Sequence, residues 1–289
     1  MKLLPLITIL ALSIVTSAFS QEKVILKLSL KKGKTYYSDM VVDQTVNMKT
    51  KNNGNISIKQ TMGFGYDMVV SEENAEGQTI KTTYQKIKVK INELEYDSEN
   101  PEKSNPDLSS VFKNLVGKSF TLKVNKAGII TSLSGLNDMV AAMIKDTPLN
   151  PQIEAALKSN FNDKKFLEDF SKSFNIFPEY AVKLGDSWTK NQTSTIMGNT
   201  ENDVTYTLQK LTPSTAGMQI NNSVKVDMDA QGAKTIIGGQ GSGTIEVDRK
   251  SGFPISSRLI LKLTGSVSKD KDFSTMDIIS TYTISGSIK

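Results

Sequence analysis

Cysteine and histidine are both absent from this sequence. Their absence removes Ser-His-Asp and Cys-His nucleophilic sites, thiol redox chemistry, and the common zinc, copper and haem ligations. It also removes disulfides, so stability has to come from a buried core. Arginine is nearly absent: of 35 basic residues only Arg249 and Arg258 are arginines. Arginine is the side chain suited to bidentate phosphate recognition, so no nucleic-acid partner is expected despite the net charge of +5. Lysines spread along strands read instead as a solvated face and a guard against edge pairing. The apolar run Leu3 to Val15 is shorter than the roughly 20 residues that cross a bilayer, and no transmembrane segment is expected after it.

What is present begins with an export signal. Lys2 precedes that apolar run, and Ala18-Phe19-Ser20 places small residues where a signal peptidase reads. Residues 1–20 are therefore expected to be a signal peptide cleaved before Gln21. The mature chain is expected to work in the periplasm or on the outer surface, without a covalent anchor.

Past the signal the dominant pattern is alternation. Val24, Leu26, Leu28 and Leu30 share one parity. Tyr36, Met40, Val42, Val46 and Met48 form the apolar side of a long strand. Ile56, Ile58, Met62, Phe64, Tyr66, Met68 and Val70 form that of the next, with Gly63 and Gly65 opposite. Period two over such lengths specifies strands with one buried face. In the stretch Gln78 to Asp97 the parity changes between Tyr84 and Ile87, which reads as a β-bulge.

Two segments repeat. Gly117 to Gly135 is an alternating run, a polar turn containing Gly128, and a second run; Gly243 to Gly265 echoes it around Gly252. Leu30-Lys31-Lys32-Gly33-Lys34-Thr35-Tyr36 is likewise paralleled by Val182-Lys183-Leu184-Gly185-Asp186-Ser187-Trp188. Between the copies the spacing becomes helical: Leu136, Met139, Val140, Met143 and Ile144, then Ile153, Ala156 and Leu157, then Phe166, Leu167, Phe170 and Phe174. Asp107 is expected to cap a short helix through Leu115. The expected organisation is a mainly β chain: a first β repeat over 21–135, a helical insert over 136–177, and a second β repeat over 178–289. The repeats form two related, strongly curved antiparallel sheets, either as a half-barrel or as a barrel.

Catalytic chemistry finds little support. Glu93, Glu95 and Asp97 share a strand face and offer a carboxylate pair or a weak cation site, though same-face acids are ordinarily just solvated. Ser110-Val111-Phe112-Lys113 matches Ser-x-x-Lys without the accompanying penicillin-binding motifs. Gly238 to Gly243 is glycine-dense but lacks the Gly-Lys-Ser/Thr ending of a phosphate loop, and reads as a bulge or flexible turn. No enzyme activity, cofactor or metal is expected.

Binding is better supplied. Methionines populate the apolar faces, and methionine suits adaptable apolar pockets; the insert is rich in phenylalanine. The candidate ligand-binding residues are Met40, Met62, Phe64 and Met68 on the strands, Phe166, Phe170 and Phe174 on the helical wedge, and Trp188.

Phe177-Pro178-Glu179-Tyr180 followed by Val182-x-x-Gly185-Asp186-x-Trp188, with the Leu30-x-x-Gly33-x-x-Tyr36 opening, resembles the exported domain-of-unknown-function proteins common in Bacteroidota. The resemblance implies an extracytoplasmic β-rich protein and transfers no catalytic residue. A looser architectural likeness is to periplasmic half-barrel lipoprotein carriers. The resulting expectation is a non-enzymatic exported envelope protein that binds a lipid, another hydrophobic ligand or a partner in the concavity of a curved sheet. The alternative is a structural or protein-interaction module of the envelope with no small ligand.

Overall fold

The computed structural model describes residues 22–50, 54–144, 154, 158, 163, 164, 167, 171, 175–194, 199–230, 232–269 and 272–289. The signal segment lies outside them. The strands are β1 (Thr35–Thr50), β2 (Gly54–Glu73), β3 (Gly77–Ile91), β4 (Leu94–Asp97), β5 (Ser119–Asn125), β6 (Ile130–Ser134), β7 (Ser187–Ser194), β8 (Asn199–Leu211), β9 (Thr215–Ala230), β10 (Ala233–Asp248), β11 (Pro254–Lys269) and β12 (Asp272–Ile288). Two helices carry labels, α1 (Pro106–Phe112) and α2 (Leu136–Ile144).

The strands expected as two sheets form one. Its order is β6-β5-β3-β2-β1-β12-β11-β10-β9-β8-β7, with β4 paired to β3 off this path, and every pairing is antiparallel. Taken from the β7 end, the meander β7-β8-β9-β10-β11 is followed by β12 and then by a second meander, β1-β2-β3-β5-β6. The last strand is what fuses the halves: it pairs with β11 on one side and with β1 on the other. Among the described residues β6 and β7 remain as sheet edges, so the sheet is not closed.

Several local expectations are met. The parity change in β3 is a bulge: Lys86 opposes Gly65 and Tyr84 opposes Tyr66, leaving Gln85 extra. Gly33 and Gly185 both turn the chain with positive φ, +81° and +88°, and Tyr36 and Trp188, three residues on, are both buried. Others are corrected. Gln78 to Asp97 is a hairpin, turned at Asn92-Glu93, where Asn92 takes φ +51°. Asn105, not Asp107, caps α1, its side chain accepting from the Asp107 and Leu108 N–H groups. The Gly238–Gly243 stretch is neither turn nor bulge but the middle of β10, in unbroken register with β11 there. Gly239, Gly241 and Gly243 point to the face that carries the core. A Cβ on them would overlap the Lys262 carbonyl, the Leu261 side chain and the Arg258 carbonyl, respectively. Their missing side chains let β10 and β11 bend toward that face.

The segment Val24 to Leu30 has the expected parity, with Val24, Leu26, Leu28 and Leu30 buried, yet among the described residues makes one ladder bridge, Val24 to Val182. It runs between the two repeated hairpin turns. In one turn Asn125 Oδ1 accepts from Ala127 and Ile129, and Gly128 N–H donates to the Asn125 carbonyl. In the other Asp248 Oδ1 accepts from Ser251, and Gly252 N–H donates to the Asp248 carbonyl. Gly128 and Gly252 take φ +83° and +66°, and a Cβ on either would strike the backbone at Lys27 or Leu28. The turns of β5–β6 and β10–β11 therefore sit on either side of one extended chain. Six strand spacings would separate β5 from β10 by about 29 Å in a flat sheet, so the sheet is curled.

Two apolar clusters fill the curl at that end. The first gathers Leu28 and Leu30 with Tyr36, Met68, Ile80, Ile87, Leu122 and α2 residues Leu136 and Met139, and takes in Phe253 from the distant β10–β11 turn. Phe253 meets the Tyr36 ring edge-on at 5.1 Å. The second gathers Val24 and Leu26 with Trp188, Tyr206, Leu208, Met218, Ile245 and Val247. Replacing Gly128 or Gly252 by Ala is expected to cost about 1–3 kcal/mol each, measured by urea unfolding. Gly33→Ala, with a similar φ but open space around it, should cost less. Equal losses at the three positions would show that the clasp is not sterically tight.

Candidate functional site

Between the two clusters the inner face crosses β11, β12, β1 and β2, and here the apolar side chains are only half-buried. Met40 pairs with Phe64 on one side and Ile284 on the other; Val42 pairs with Met62 and Tyr282. All six are of intermediate exposure, and of them only Phe64 packs against a core cluster. They form an apolar floor flanked by two filled cores. Further along the same strands Ile56 and Ile58 are 42% and 36% exposed.

Of the candidate ligand residues, the structure brings Met40, Met62 and Phe64 together on this floor. Met68 and Trp188 do not join them, because each is a core anchor. Met68 is fully buried in the first cluster. The Trp188 indole N–H donates to the Ile176 carbonyl at 2.7 Å, and its ring stacks on Tyr206 at 5.9 Å. Phe166, Phe170 and Phe174 lie outside the described residues. The floor residues not singled out in the sequence, Val42, Tyr282 and Ile284, have the same parity as their neighbours; only the pairing of β1 with β12, residues far apart in the chain, assembles them.

A row of polar side chains crosses this face. Gln60 Nε2 donates to Gln44 Oε1 at 2.5 Å, and Gln44 Nε2 donates to Ser280 Oγ at 2.8 Å. Ser280 is buried, and Tyr282 follows it two residues on along β12, on the same face. Burial pushes the Tyr282 phenol up, and the Ser280 hydrogen bond opposes that rise. On β9, the same register row holds Asn222, whose Nδ2 donates to Asn202 Oδ1 at 2.8 Å; Asn202 in turn donates to Gln192 at 3.2 Å. Asn222 Oδ1 is buried without a hydrogen-bond partner. In the sequence a Gln or Asn at an apolar parity looks like a lapse in the pattern.

A separate cavity of about 410 Å³ opens where the β5–β6 turn faces the segment leading to β7. It is lined by Ile25, Ile129, Phe177 and Pro178, with Lys27 and Glu179 among its polar residues. On the outer face the expected carboxylate set is dispersed and neutralised. Glu93 sits in the β3–β4 turn, while Glu95 and Asp97 contact the Lys88 ammonium at 2.8 and 3.4 Å. The Lys88 hydrogen bond holds the Glu95 carboxyl below its usual range. Among the described residues no group of three or more His, Cys, Asp or Glu is placed to hold a metal, and no helix is long and apolar enough to cross a membrane.

Fold and site together define a single-sheet antiparallel β protein, curled around two cores with a half-open apolar floor between them. The model of the family described as "Family of unknown function (DUF6263)" matches residues 76–254, and the chain belongs to that family. No curated protein matches the sequence. Among solved structures, the chain is similar to a structure on lipid–protein interactions in lipovitellin. The identity is 11% and the TM-score 0.51, over 90% of this chain and 26% of that one, so it spans about a quarter of that protein's length. DynF from the dynemicin biosynthesis pathway of Micromonospora chersina is 7% identical over 92% of this chain and 86% of its own, with TM-score 0.22. An outer membrane channel from Pseudomonas putida F1 is 7% identical over 90% and 97%, with TM-score 0.23. The lipovitellin likeness is one of fold; the other two carry no argument.

Burial raises two inner-face phenols strongly, Tyr84 and Tyr206, each to about 12. In the unfolded chain both ionise near 10. A raised folded value means that stability is intact below pH 10 and declines as pH climbs from 10 toward 12. Alkaline unfolding followed by tyrosinate absorbance is expected to show that decline. It should be smaller in Tyr206→Phe, which has no phenol to ionise at that position.

Proposed function

We propose that this protein is a non-enzymatic, exported envelope protein that holds a hydrophobic ligand against the inner face of its curled sheet. The observation that carries the reading is the apolar floor of Met40, Val42, Met62, Phe64, Tyr282 and Ile284, left half-buried between two cores that are themselves filled. Apolar surface assembled by three long central strands, β1, β2 and β12, and left partly uncovered favours an apolar occupant. The fold likeness to lipovitellin, a protein described by its lipid interactions, supports the same reading by analogy alone. Export rests on the signal pattern at residues 1–20, and the non-enzymatic reading on the missing nucleophile and metal chemistry of the sequence.

The test is to purify the protein natively, extract it with solvent and identify bound lipid by mass spectrometry, then titrate it with a fluorescent acyl probe. Lipid at a fixed stoichiometry and saturable probe binding are expected. Met62→Asp should weaken probe binding by tenfold or more, since the ligand would bury a carboxylate; Lys49→Asp, on the outer face of the neighbouring strand, should leave it unchanged. A protein that is empty as purified and binds no probe rejects the reading. The unpaired edges β6 and β7 favour a second reading, an envelope interaction module, which a stoichiometric protein partner without lipid in envelope pull-downs would support.

A further inference from the structure

The polar row across the apolar floor narrows the ligand's chemistry. Gln60, Gln44 and Ser280 are linked by hydrogen bonds across three adjacent strands, and all three are neutral. Asn222 shares their register row, three strands away, with Gly241 and Leu261 between. Its side chain is more than nine-tenths buried, and its Oδ1 finds no donor. Asn202 gives its Nδ2 to Gln192 Oε1 and receives Asn222 Nδ2 on its Oδ1. The atom left over is therefore an acceptor. A buried acceptor without a donor costs about 1–3 kcal/mol, and such an atom marks a missing partner; among the described residues Asp67 Oδ1 and Thr82 Oγ1 share that condition, but neither stands in this row. The one cation of this row among the described residues is Lys190, and its ammonium is engaged by Asn175 Oδ1 at 3.4 Å.

We propose that the ligand is a neutral amphiphile carrying a hydroxyl or amide N–H donor, which Asn222 Oδ1 receives while its acyl chain lies on the floor. This rests on the hydrophobic-ligand reading and adds to it a chemical class. A free fatty acid fits less well: its carboxylate brings only acceptors to a row that already has a surplus acceptor and no uncommitted cation.

The experiment is displacement of a fluorescent acyl probe from the full-length mature protein by three twelve-carbon competitors of equal chain length. These are 1-monolauroylglycerol, methyl laurate and laurate. The hydroxylated glyceride is expected to compete at concentrations about tenfold lower than the methyl ester, as one hydrogen bond to a buried group allows. In Asn222→Leu that preference should collapse to within about twofold, with the methyl ester unaffected. Should the variant fail to fold, the ranking of competitors on the unaltered protein still decides. Equal competition by glyceride and ester would overturn the donor assignment while leaving the hydrophobic-ligand reading intact. Tightest binding by laurate, lost in Lys190→Met, would overturn it in favour of an anionic ligand. Failure of the probe and all three competitors to bind would bring down both readings.

Discussion

Everything in this molecule hangs on the contact between the peptide at Lys27–Leu28 and the two glycines that grip it. Gly128 and Gly252 come from hairpins lying far apart in the sheet, yet each presses its bare Cα against the same stretch of backbone. That approach is open only to residues without a Cβ at positive φ. The clasp is reinforced by the Ser29 N–H bond to the Ser251 carbonyl at 2.8 Å, by the ion pair of Arg249 with Glu22, and by the Val24–Val182 bridge. Its driving force is hydrophobic: Val24, Leu26, Leu28 and Leu30 are all buried, and each such side chain is worth about 1.5–3 kcal/mol at most. Without the strap, a sheet with two free edges would have nothing to hold its hairpin ends together.

The way the strap divides its side chains explains where the open surface falls. Leu28 and Leu30 belong to one cluster and Val24 and Leu26 to the other, so the strap fills the two flanks of the curl and not its centre. The centre is β12 and its neighbours, the only place where the two meanders touch through the sheet. A strand that serves as a joint is packed by ladder hydrogen bonds on both edges and needs no core on its face to stay in place. An uncovered apolar floor can therefore persist there at small cost to the fold.

Much of this was legible from residue order. Strand existence, parity and the Gln85 bulge followed from alternation, and the paired glycine motifs announced turns in which glycine takes positive φ. The joint between β1 and β12 was not legible, because parity says which face a residue takes and nothing about which strand lies beside it. Two sheets and one sheet are written in the same alternation; what decides is that Tyr36 lies opposite Ile288 and Thr50 opposite Ser274. That Met68 and Trp188 pack in the two cores was hidden for a related reason. A methionine on an apolar face is the same letter whether it packs in a core or lines a floor, and its distance from the strap decides which. The glycines of β10 misled in the other direction, since glycine density resembles a loop until a neighbouring strand is known to need the space.

The polar row poses the sharpest constraint on function. Gln44 and Gln60 sit at positions where alternation calls for aliphatic side chains, and Val or Ile there would strengthen both strands. A partly satisfied polar network inside an apolar surface is less stable than no network, so stability alone does not account for the row. Its internal bonds do not account for it either, because they satisfy Gln44 and Ser280 but leave Asn222 Oδ1 unanswered two strands beyond Ser280's neighbour. A row whose members on β2, β1 and β12 are neutral and bonded across the central joint, and whose member on β9 is short of one donor, has the composition of a surface that meets another polar group rather than one buried against itself. Under the proposed ligand reading, the discriminating chemistry falls to β1, β2, β9 and β12 on the inner face, and not to the outer face, where Lys86, Lys88 and Lys90 pair with Glu99, Glu95 and Asp97.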